Sequence, residues 1–258
     1  MKSSGWDKSA WTEVFGKLRL ELAPVAVSFS IKAPEGVKRL EDHISLCEML
    51  PRAQHGDAFY AAPENHACDA GLYIIGKSVP PAFTGGEYGA GIQVFNHPRA
   101  CGRLYDAIPR LDPGRNISYI TFSPLEKLAF EPDLLVVVVE VEQAEILLRA
   151  MSYSTGKPWT STTSSVMGCA WTYIYPYLTG DLNYVTTGLS HGMRRRKALP
   201  PGRQLLTIPY DLFPMMLQNL QTMPWVTPLF QPGADEFRKK LLTNIGLDSD
   251  LMEVKARP

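Results

Sequence analysis

Two cysteines stand at positions where a thiol can do chemistry. Cys68 and Cys169 each come directly before an apolar run of helical character, one in each half of the chain. The positive end of a helix dipole lowers the pKa of a nearby thiol and favours the nucleophilic thiolate. We therefore predict Cys68 and Cys169 as catalytic thiols, with His66 as a candidate base or ligand. The alternative is that both cysteines are small buried hydrophobic residues.

Cysteine and histidine side chains are also metal ligands. Cys47 and His191 can join Cys68 and Cys169 as ligands of an iron–sulfur cluster or another metal. Structural zinc sites normally arrive as close cysteine pairs, and the sequence has no C-x-x-C. Local spacing therefore leaves the cofactor unknown, with thiol chemistry and metal binding both open. Cys101 lies on a predicted helix face and is expected to fill the core.

Arginines and aromatic residues provide candidates for ligand binding. Arg115 and Arg203 follow equivalent Pro-Gly turns, and Arg194 belongs to a short basic run. Guanidinium groups bind anionic ligands through paired hydrogen bonds. Trp171 and Tyr173 can form one wall of a ligand pocket, or they can simply build the core. The arginine turns have an equally simple alternative as shared turns before strands.

Strands and helices that position these residues are marked by local signals. Residues 134–141 are apolar on both faces, which predicts a central strand covered on both sides. Residues 25–30 predict a second buried strand. Ser45 and Glu48 have the spacing of a capping box, so a helix is expected to begin there, although Pro51 is awkward inside it.

The order of features repeats in the two halves of the chain, which predicts an internal duplication. We predict an α/β fold, with α+β as the alternative, in which two repeated α/β halves form one body. The halves cover residues 1–128 and 129–213, and a C-terminal helical extension covers residues 214–258. Two βαβ-like units would place Cys68 and Cys169 at matching positions. The repeated features are a proline before a strand (Pro24, Pro132), a polar tract ending in cysteine (Cys68, Cys169) and a Pro-Gly-Arg turn (Pro113–Arg115, Pro201–Arg203).

Composition narrows the classes of partner. The 26 Lys and Arg residues balance the 26 Asp and Glu residues, and nucleic-acid binding needs a basic excess. No apolar run reaches the length of about 18 residues typical of a transmembrane helix. We therefore expect a small-molecule ligand and neither nucleic acid nor membrane. The N-terminus lacks an apolar signal core, so a cytoplasmic location with reduced thiols is expected.

Two further segments carry expectations about motion and assembly. The glycine-rich residues 85–91 lack the lysine and hydroxyl residue that end a phosphate-binding loop, so we predict a flexible loop or lid. Amphipathic helices are predicted near residues 210–221 and 234–245. They are expected to pack on the outside of the body or to form a homodimer.

Several short motifs follow one another in order: Pro24-Val25-Ala26-Val27, Cys47-Glu48-Met49-Leu50, Arg52-Ala53, Gly56, Cys68 with Gly71 and Gly76, Pro124-Leu125, Glu131-Pro132-Asp133 and residues 150–156. This ordered set, over residues 18–213, resembles the domain of unknown function 169 (DUF169) family. The resemblance implies a soluble prokaryotic protein without an assigned activity, with Cys47, Cys68 and Cys169 at motif positions. It also implies that relatives carry a further cysteine where this chain has His191, a change that keeps a metal ligand and loses a thiol.

The sequence thus supports competing functions. The first is a cysteine-centred redox or metal protein that acts on a small molecule. The second is a non-catalytic protein that binds a small anionic ligand or cofactor in the cleft between the two halves. The third is an assembly subunit whose tail helices dock a partner.

Overall fold

A mixed α/β fold is built around one sheet. The computed structural model describes residues 8–115, 117–185, 193, 196 and 198–247. Within these residues the strands are β1 (Val25–Ser30), β2 (Lys38–Arg39), β3 (Phe59–Ala61), β4 (Tyr119–Pro124), β5 (Leu134–Val139), β6 (Asn183–Val185) and β7 (Gln204–Pro209). They form a seven-stranded sheet in the order β2-β3-β4-β1-β5-β7-β6.

Helices cover both faces of this sheet. They are α1 (Lys8–Leu18), α2 (Leu46–Gln54), α3 (Asp69–Ile74), α4 (Pro81–Thr84), α5 (Glu87–Gly91), α6 (Pro98–Ala107), α7 (Val141–Ser152), α8 (Tyr175–Thr179), α9 (Phe213–Thr222) and α10 (Ala234–Asn244), with a π-helix at Ala170–Ile174. The glycine-rich residues 85–91, which were predicted to be a loop, directly follow α4 and contain the short helix α5. In the part of the chain that is described, no helix combines the length and the apolar character needed to cross a bilayer.

Strand directions differ from those of simple βαβ units. Every pair in the sheet is antiparallel except β2 with β3. Strands β1 and β3 therefore run the same way with β4 inserted between them. Strands β5 and β6 likewise run the same way around β7. Each expected βαβ-like unit is thus split by a strand that comes later in the chain.

The predicted central strand is confirmed. All six residues of β5 are buried. Leu134, Val136 and Val138 face the layer that contains α2, α3, α6 and the π-helix. The alternate residues face the layer that contains α1, α7 and α9. A strand covered on both sides must be apolar on both sides, which is why its sequence shows no alternation.

Strands β1 and β5 meet at a short junction in the middle of the sheet. Their pairing joins three residues of each strand. Asp133 extends it, because its backbone N–H donates to the Val27 carbonyl oxygen at 2.9 Å and its Oδ2 accepts from the Phe29 N–H at 2.7 Å. The Asp133 carbonyl oxygen also accepts from the Tyr210 N–H at 2.8 Å. One residue therefore links the ends of β1, β5 and β7.

Helix α2 begins at the predicted capping box. The backbone N–H of Ser45 donates to Glu48 Oε2 at 2.9 Å. Pro51 lies inside the helix and cannot donate to the carbonyl oxygen of Cys47 four residues earlier. Burial of Met49 and Leu50 holds the helix on the sheet despite this missing bond.

The two C-terminal helices differ in how they pack. Helix α9 is part of the second layer, with Phe213 and Met216 fully buried, and Asn219 Nδ2 donates to the Ala150 carbonyl oxygen at 2.8 Å. Helix α10 contributes one buried side chain, Leu242, and leaves Phe237 about half exposed. The expected extension is therefore divided between a core helix and a loosely packed one.

A matched pair of valine substitutions tests the central position of β5. Val137→Ala removes two buried methyl groups and should lower the free energy of unfolding by about 2 kcal/mol. Val141→Ala makes the same change at a residue that is 62% exposed, and should alter it by less than about 0.5 kcal/mol. Urea denaturation measures both, and equal effects would contradict the buried position of β5.

Candidate functional site

Two thiols from distant parts of the chain meet on one face of the sheet. Cys47 is the second residue of α2 and is half-buried. Cys169 directly precedes the π-helix and is buried. The Cys169 side chain is close enough to shift the pKa of the Cys47 thiol, and neither cysteine is in a disulfide. The structure therefore pairs Cys169 with Cys47.

The surroundings shift the pKa values of Cys47 and Cys169 in opposite directions. The hydrogen bond that the Cys169 thiol donates to the Cys47 sulfur is the main cause of a lowered Cys47 pKa. Burial opposes this shift. The same bond, together with complete burial, raises the pKa of Cys169 well above its ordinary value. Cys47 is thus the thiol prepared to ionise, and Cys169 is the one that stays protonated.

Charged groups at the start of α2 act on Cys47 as well. The Arg196 guanidinium lowers the pKa of Cys47, and the neighbouring Glu48 carboxylate raises it. Arg196 Nε lies 3.7 Å from Glu48 Oε2, so the two side chains form an exposed ion pair beside the thiol. The first turn of α2 also presents the positive end of its dipole to Cys47.

An irregular backbone positions Cys169. Met167 has a φ of 56°, which is unusual for a residue with a side chain, and the π-helix follows at once. Asn183 is fully buried and its Nδ2 donates to the Trp171 carbonyl oxygen at 2.8 Å and to the Thr162 carbonyl oxygen at 2.9 Å. Segments of π-helix are rare and are frequent at functional sites. Sequence reasoning missed Asn183, whose only signal was an amide residue at the start of an apolar strand.

The two aromatic candidates lie in the core beneath the thiols. Trp171 is 6% exposed and its Nε1 donates to Ser164 Oγ at 2.7 Å. Tyr173 is 1% exposed and packs edge to face against Phe122, with ring centroids 6.0 Å apart. Burial, followed by the charges of Cys47 and Cys169, raises the pKa of the Tyr173 phenol well above its ordinary value. The phenol therefore remains a hydrogen-bond donor beside the dithiol.

Cys68 lies near this pair but at a different place in the fold. It is the partly exposed residue that precedes α3, and α3 packs against the π-helix. Its charge contributes to the raised pKa of Cys169. Cys68 follows β3, however, whereas Cys169 precedes β6. The strand order thus does not place Cys68 and Cys169 at the matching positions that the duplicated tracts led us to expect.

His66 is a buried neutral histidine. Its ring is 3% exposed, and its Nδ1 has no hydrogen-bond partner among the described residues. A Cβ at Gly71 would lie 3.6 Å from His66 Nδ1 and from Leu46 Cβ, so α3 packs closely against the ring and the start of α2. Burial, assisted by His43, lowers the pKa of His66 to about 4. The histidine therefore carries no charge at neutral pH.

The three candidate arginines are not shown to form an anion site. Arg203 is already paired with two carboxylates, Glu21 at 2.5 Å and Glu140, at a surface formed with α1 and α7. Two carboxylates thus accompany its charge, and its role in ligand binding stays a prediction. Arg115 is the last residue of a short 3₁₀ turn, and the structure describes its backbone alone. Arg194 is not among the described residues.

Three of the four proposed metal ligands lie among the residues that the structure describes. Over residues 8–115, 117–185, 193, 196 and 198–247, no group of three or more His, Cys, Asp or Glu residues is arranged to hold a metal ion. Cys47, Cys68 and Cys169 therefore do not form such a group by themselves, and His191 lies outside the described residues. Cys101 is 1% exposed in the core, as expected for a residue that fills space.

Comparison with known proteins places the chain in a family. A family model matches residues 16–219; the family is DUF169, described as "Uncharacterised ArCR". The chain belongs to this family, which confirms the resemblance seen in its motifs. A relative in Methanocaldococcus jannaschii, itself described as an uncharacterized protein, is 25% identical over 179 residues, which cover 68% of this chain and 76% of the relative. No solved structure matches the chain at a significant level.

Alkylation by iodoacetamide tests the inequality of the two thiols. Cys47 should reach half of its maximal rate at a pH below the value of about 8.5 of an ordinary cysteine, because its thiolate accepts a hydrogen bond and faces Arg196. Cys169 should stay unmodified in the folded protein because it is buried. Peptide mass spectrometry assigns the modified residues.

The same assay with charge variants identifies the cause of the shift. Arg196→Gln should move the Cys47 profile to higher pH, because a positive charge that favours the thiolate is lost. Arg238→Gln removes a surface arginine on α10 and should leave the profile in place. An unshifted profile for Cys47 in the wild-type protein would refute the assignment.

His66 makes the stability of the protein depend on pH. Its pKa is about 4 in the folded protein and about 6.5 when unfolded, so only the unfolded chain binds the proton between these values. The free energy of unfolding should therefore fall by about 3 kcal/mol from this residue as the pH drops from 6.5 to 4. In urea denaturation, His66→Gln should lose this component, and exposed His55→Gln should keep it. If the free energy of unfolding changed with pH in the same way for wild type and His66→Gln, the contribution of His66 would be ruled out.

Proposed function

We propose that this protein is a thiol–disulfide redox protein in which Cys47 and Cys169 cycle between a dithiol and a disulfide. The proposal is supported by the direct influence of two sequence-distant thiols on each other, one partly exposed and one buried, which lowers the Cys47 pKa and raises the Cys169 pKa. A partly exposed thiolate beside a buried thiol suits two successive steps. The Cys47 thiolate attacks the substrate, and the Cys169 thiol then attacks the mixed disulfide. The nucleophile is thus Cys47, in place of the Cys68 that the sequence suggested.

The chemistry balances with a small disulfide as the oxidant. The Cys47 thiolate attacks one sulfur of the small disulfide, and the other sulfur leaves as a thiolate that takes up a proton. The Cys169 thiol then loses its proton and attacks Cys47 in the mixed disulfide. The second small thiol leaves, and a Cys47–Cys169 disulfide forms. Two electrons pass from the protein dithiol to the small disulfide, which is reduced to two thiols.

The predicted internal duplication would give the pair a place in the fold. We infer that β1, β4 and β3 correspond to β5, β7 and β6, because both sets run outward from the central junction in that order. Cys47 and Cys169 then both lie at the start of the helical segment that leads into the outermost strand of their set. On this view Cys47 belongs to the half formed by residues 1–128 and Cys169 to the half formed by residues 129–213. The dithiol then lies close to the axis that relates the two halves.

Metal binding is the rival use of the same thiols. The influence of Cys68 on Cys169 favours it, because it brings a third sulfur into the neighbourhood of the pair. An iron–sulfur cluster or a single metal ion would be held by the same cysteine sulfurs that form the disulfide, so the two uses exclude each other. The redox proposal assumes a reducing compartment such as the cytoplasm, where the resting state is the dithiol.

Oxidation by glutathione disulfide, followed by alkylation and peptide mass spectrometry, tests the proposal. The wild-type protein should form a Cys47–Cys169 disulfide. Cys169→Ser should stop at a mixed disulfide between Cys47 and glutathione, and Cys47→Ser should form neither product. Cys101→Ser changes a buried cysteine of the same layer and should behave as wild type.

Two results would reject the proposal. One is a disulfide that joins Cys68 to Cys169 while Cys47 stays free. The other is a stoichiometric metal ion in anaerobically purified protein whose removal alone makes Cys47 reactive. That second result would support the metal hypothesis in its place.

A further inference from the structure

The hydroxyl group of Tyr173 is buried in the core. Its side chain is 1% exposed, and its oxygen has no hydrogen-bond partner among the described residues. Tyr173 lies in the π-helix that Cys169 directly precedes and packs in the same core layer, and the charges of Cys47 and Cys169 act on its phenol. Phe122 packs against its ring and holds the orientation.

Such a group is costly unless an acceptor comes to it. Leaving a buried hydroxyl unpaired costs about 1–3 kcal/mol. Thiol sulfur is a weak acceptor, and an oxygen atom is a strong one. We infer that the hydroxyl is satisfied when an oxygen atom enters the space beside the Cys47 sulfur.

We propose that the oxidant of the dithiol is a hydroperoxide, and that Tyr173 donates a hydrogen bond to its oxygen as the O–O bond breaks. This inference rests on the proposed redox function and names the substrate class of the same site. A hydroperoxide brings the missing acceptor within reach of the phenol. It is also small enough for a half-buried nucleophile.

The steps balance in atoms and electrons. The Cys47 thiolate attacks the terminal oxygen of the hydroperoxide, the O–O bond breaks, and the alkoxide takes a proton to become an alcohol. Cys47 is now a sulfenic acid, oxidised by two electrons. The Cys169 thiol attacks the Cys47 sulfur, forms the disulfide and releases water. An external dithiol then reduces the disulfide and is itself oxidised.

The other donors at the site suit a developing negative charge on oxygen. Arg196 places a guanidinium near Cys47, and the first turn of α2 presents its positive end. Groups that are already oriented toward a developing oxyanion lower the barrier without reorganising. Arg196 and the start of α2 thus favour negative charge beside the attacking Cys47 sulfur, and the Glu48 carboxylate opposes them.

Comparison of two oxidants tests the role of Tyr173. Disulfide formation is followed by quenched alkylation with hydrogen peroxide and, separately, with diamide, which carries no oxygen to transfer. Tyr173→Phe should slow the reaction with peroxide about 10-fold or more and leave the reaction with diamide unchanged. The variant should be at least as stable as wild type in a thermal melt, because it removes only an unpaired hydroxyl. Tyr210→Phe, at a buried tyrosine in the opposite layer, should change neither rate.

The outcomes separate this inference from the proposed function. A disulfide that forms with diamide but not with peroxide would overturn the hydroperoxide substrate and leave the redox function standing. Equal slowing with both oxidants, or no slowing with either, would overturn the role of Tyr173. Failure of both oxidants to join Cys47 to Cys169 would overturn the redox function itself.

Discussion

The junction of β1 and β5 is the constraint on which the rest of this structure depends. Only three residues of each strand pair there, yet the junction joins the strands on either side into one sheet. The residues that pair there are buried on both faces of the sheet, so a shift by one residue would exchange the two layers of the core. The elements that carry Cys47 and Cys169 lie on opposite sides of this junction. Contact between their sulfurs therefore depends on its register.

Local signals were enough to predict much of the fold. The run of valines in β5, the capping box of Ser45 and Glu48, and Pro98 at the start of α6 each act within a few residues, so the sequence displays them directly. The split arrangement of strands was not visible in this way. Which strand inserts between two others depends on how the layers pack, and no short pattern records it.

The candidate site shows the same division. All three cysteines were singled out from the sequence, which paired Cys68 with Cys169 from similar local tracts, whereas the structure brings Cys47 to Cys169. The contact with Cys47 is non-local and needs both halves of the sheet. The ion pairs of Arg203 with Glu21 and Glu140 were likewise not visible in the sequence, since these partners are distant along the chain. The unpaired hydroxyl of Tyr173 is a property of the assembled core alone.

The separation of Cys47 and Cys169 along the chain links oxidation to folding. A disulfide between them would close a loop of more than a hundred residues, and a loop of that length is worth about 4.7 kcal/mol in the unfolded chain. By thermodynamic linkage, folding must favour the oxidised form by the same amount. At roughly 30 mV for each 1.4 kcal/mol, the reduction potential of the folded protein would lie about 100 mV below that of its unfolded chain. The topology of the sheet would thus help to set the reduction potential of the Cys47–Cys169 pair, because it joins two cysteines that are far apart along the chain.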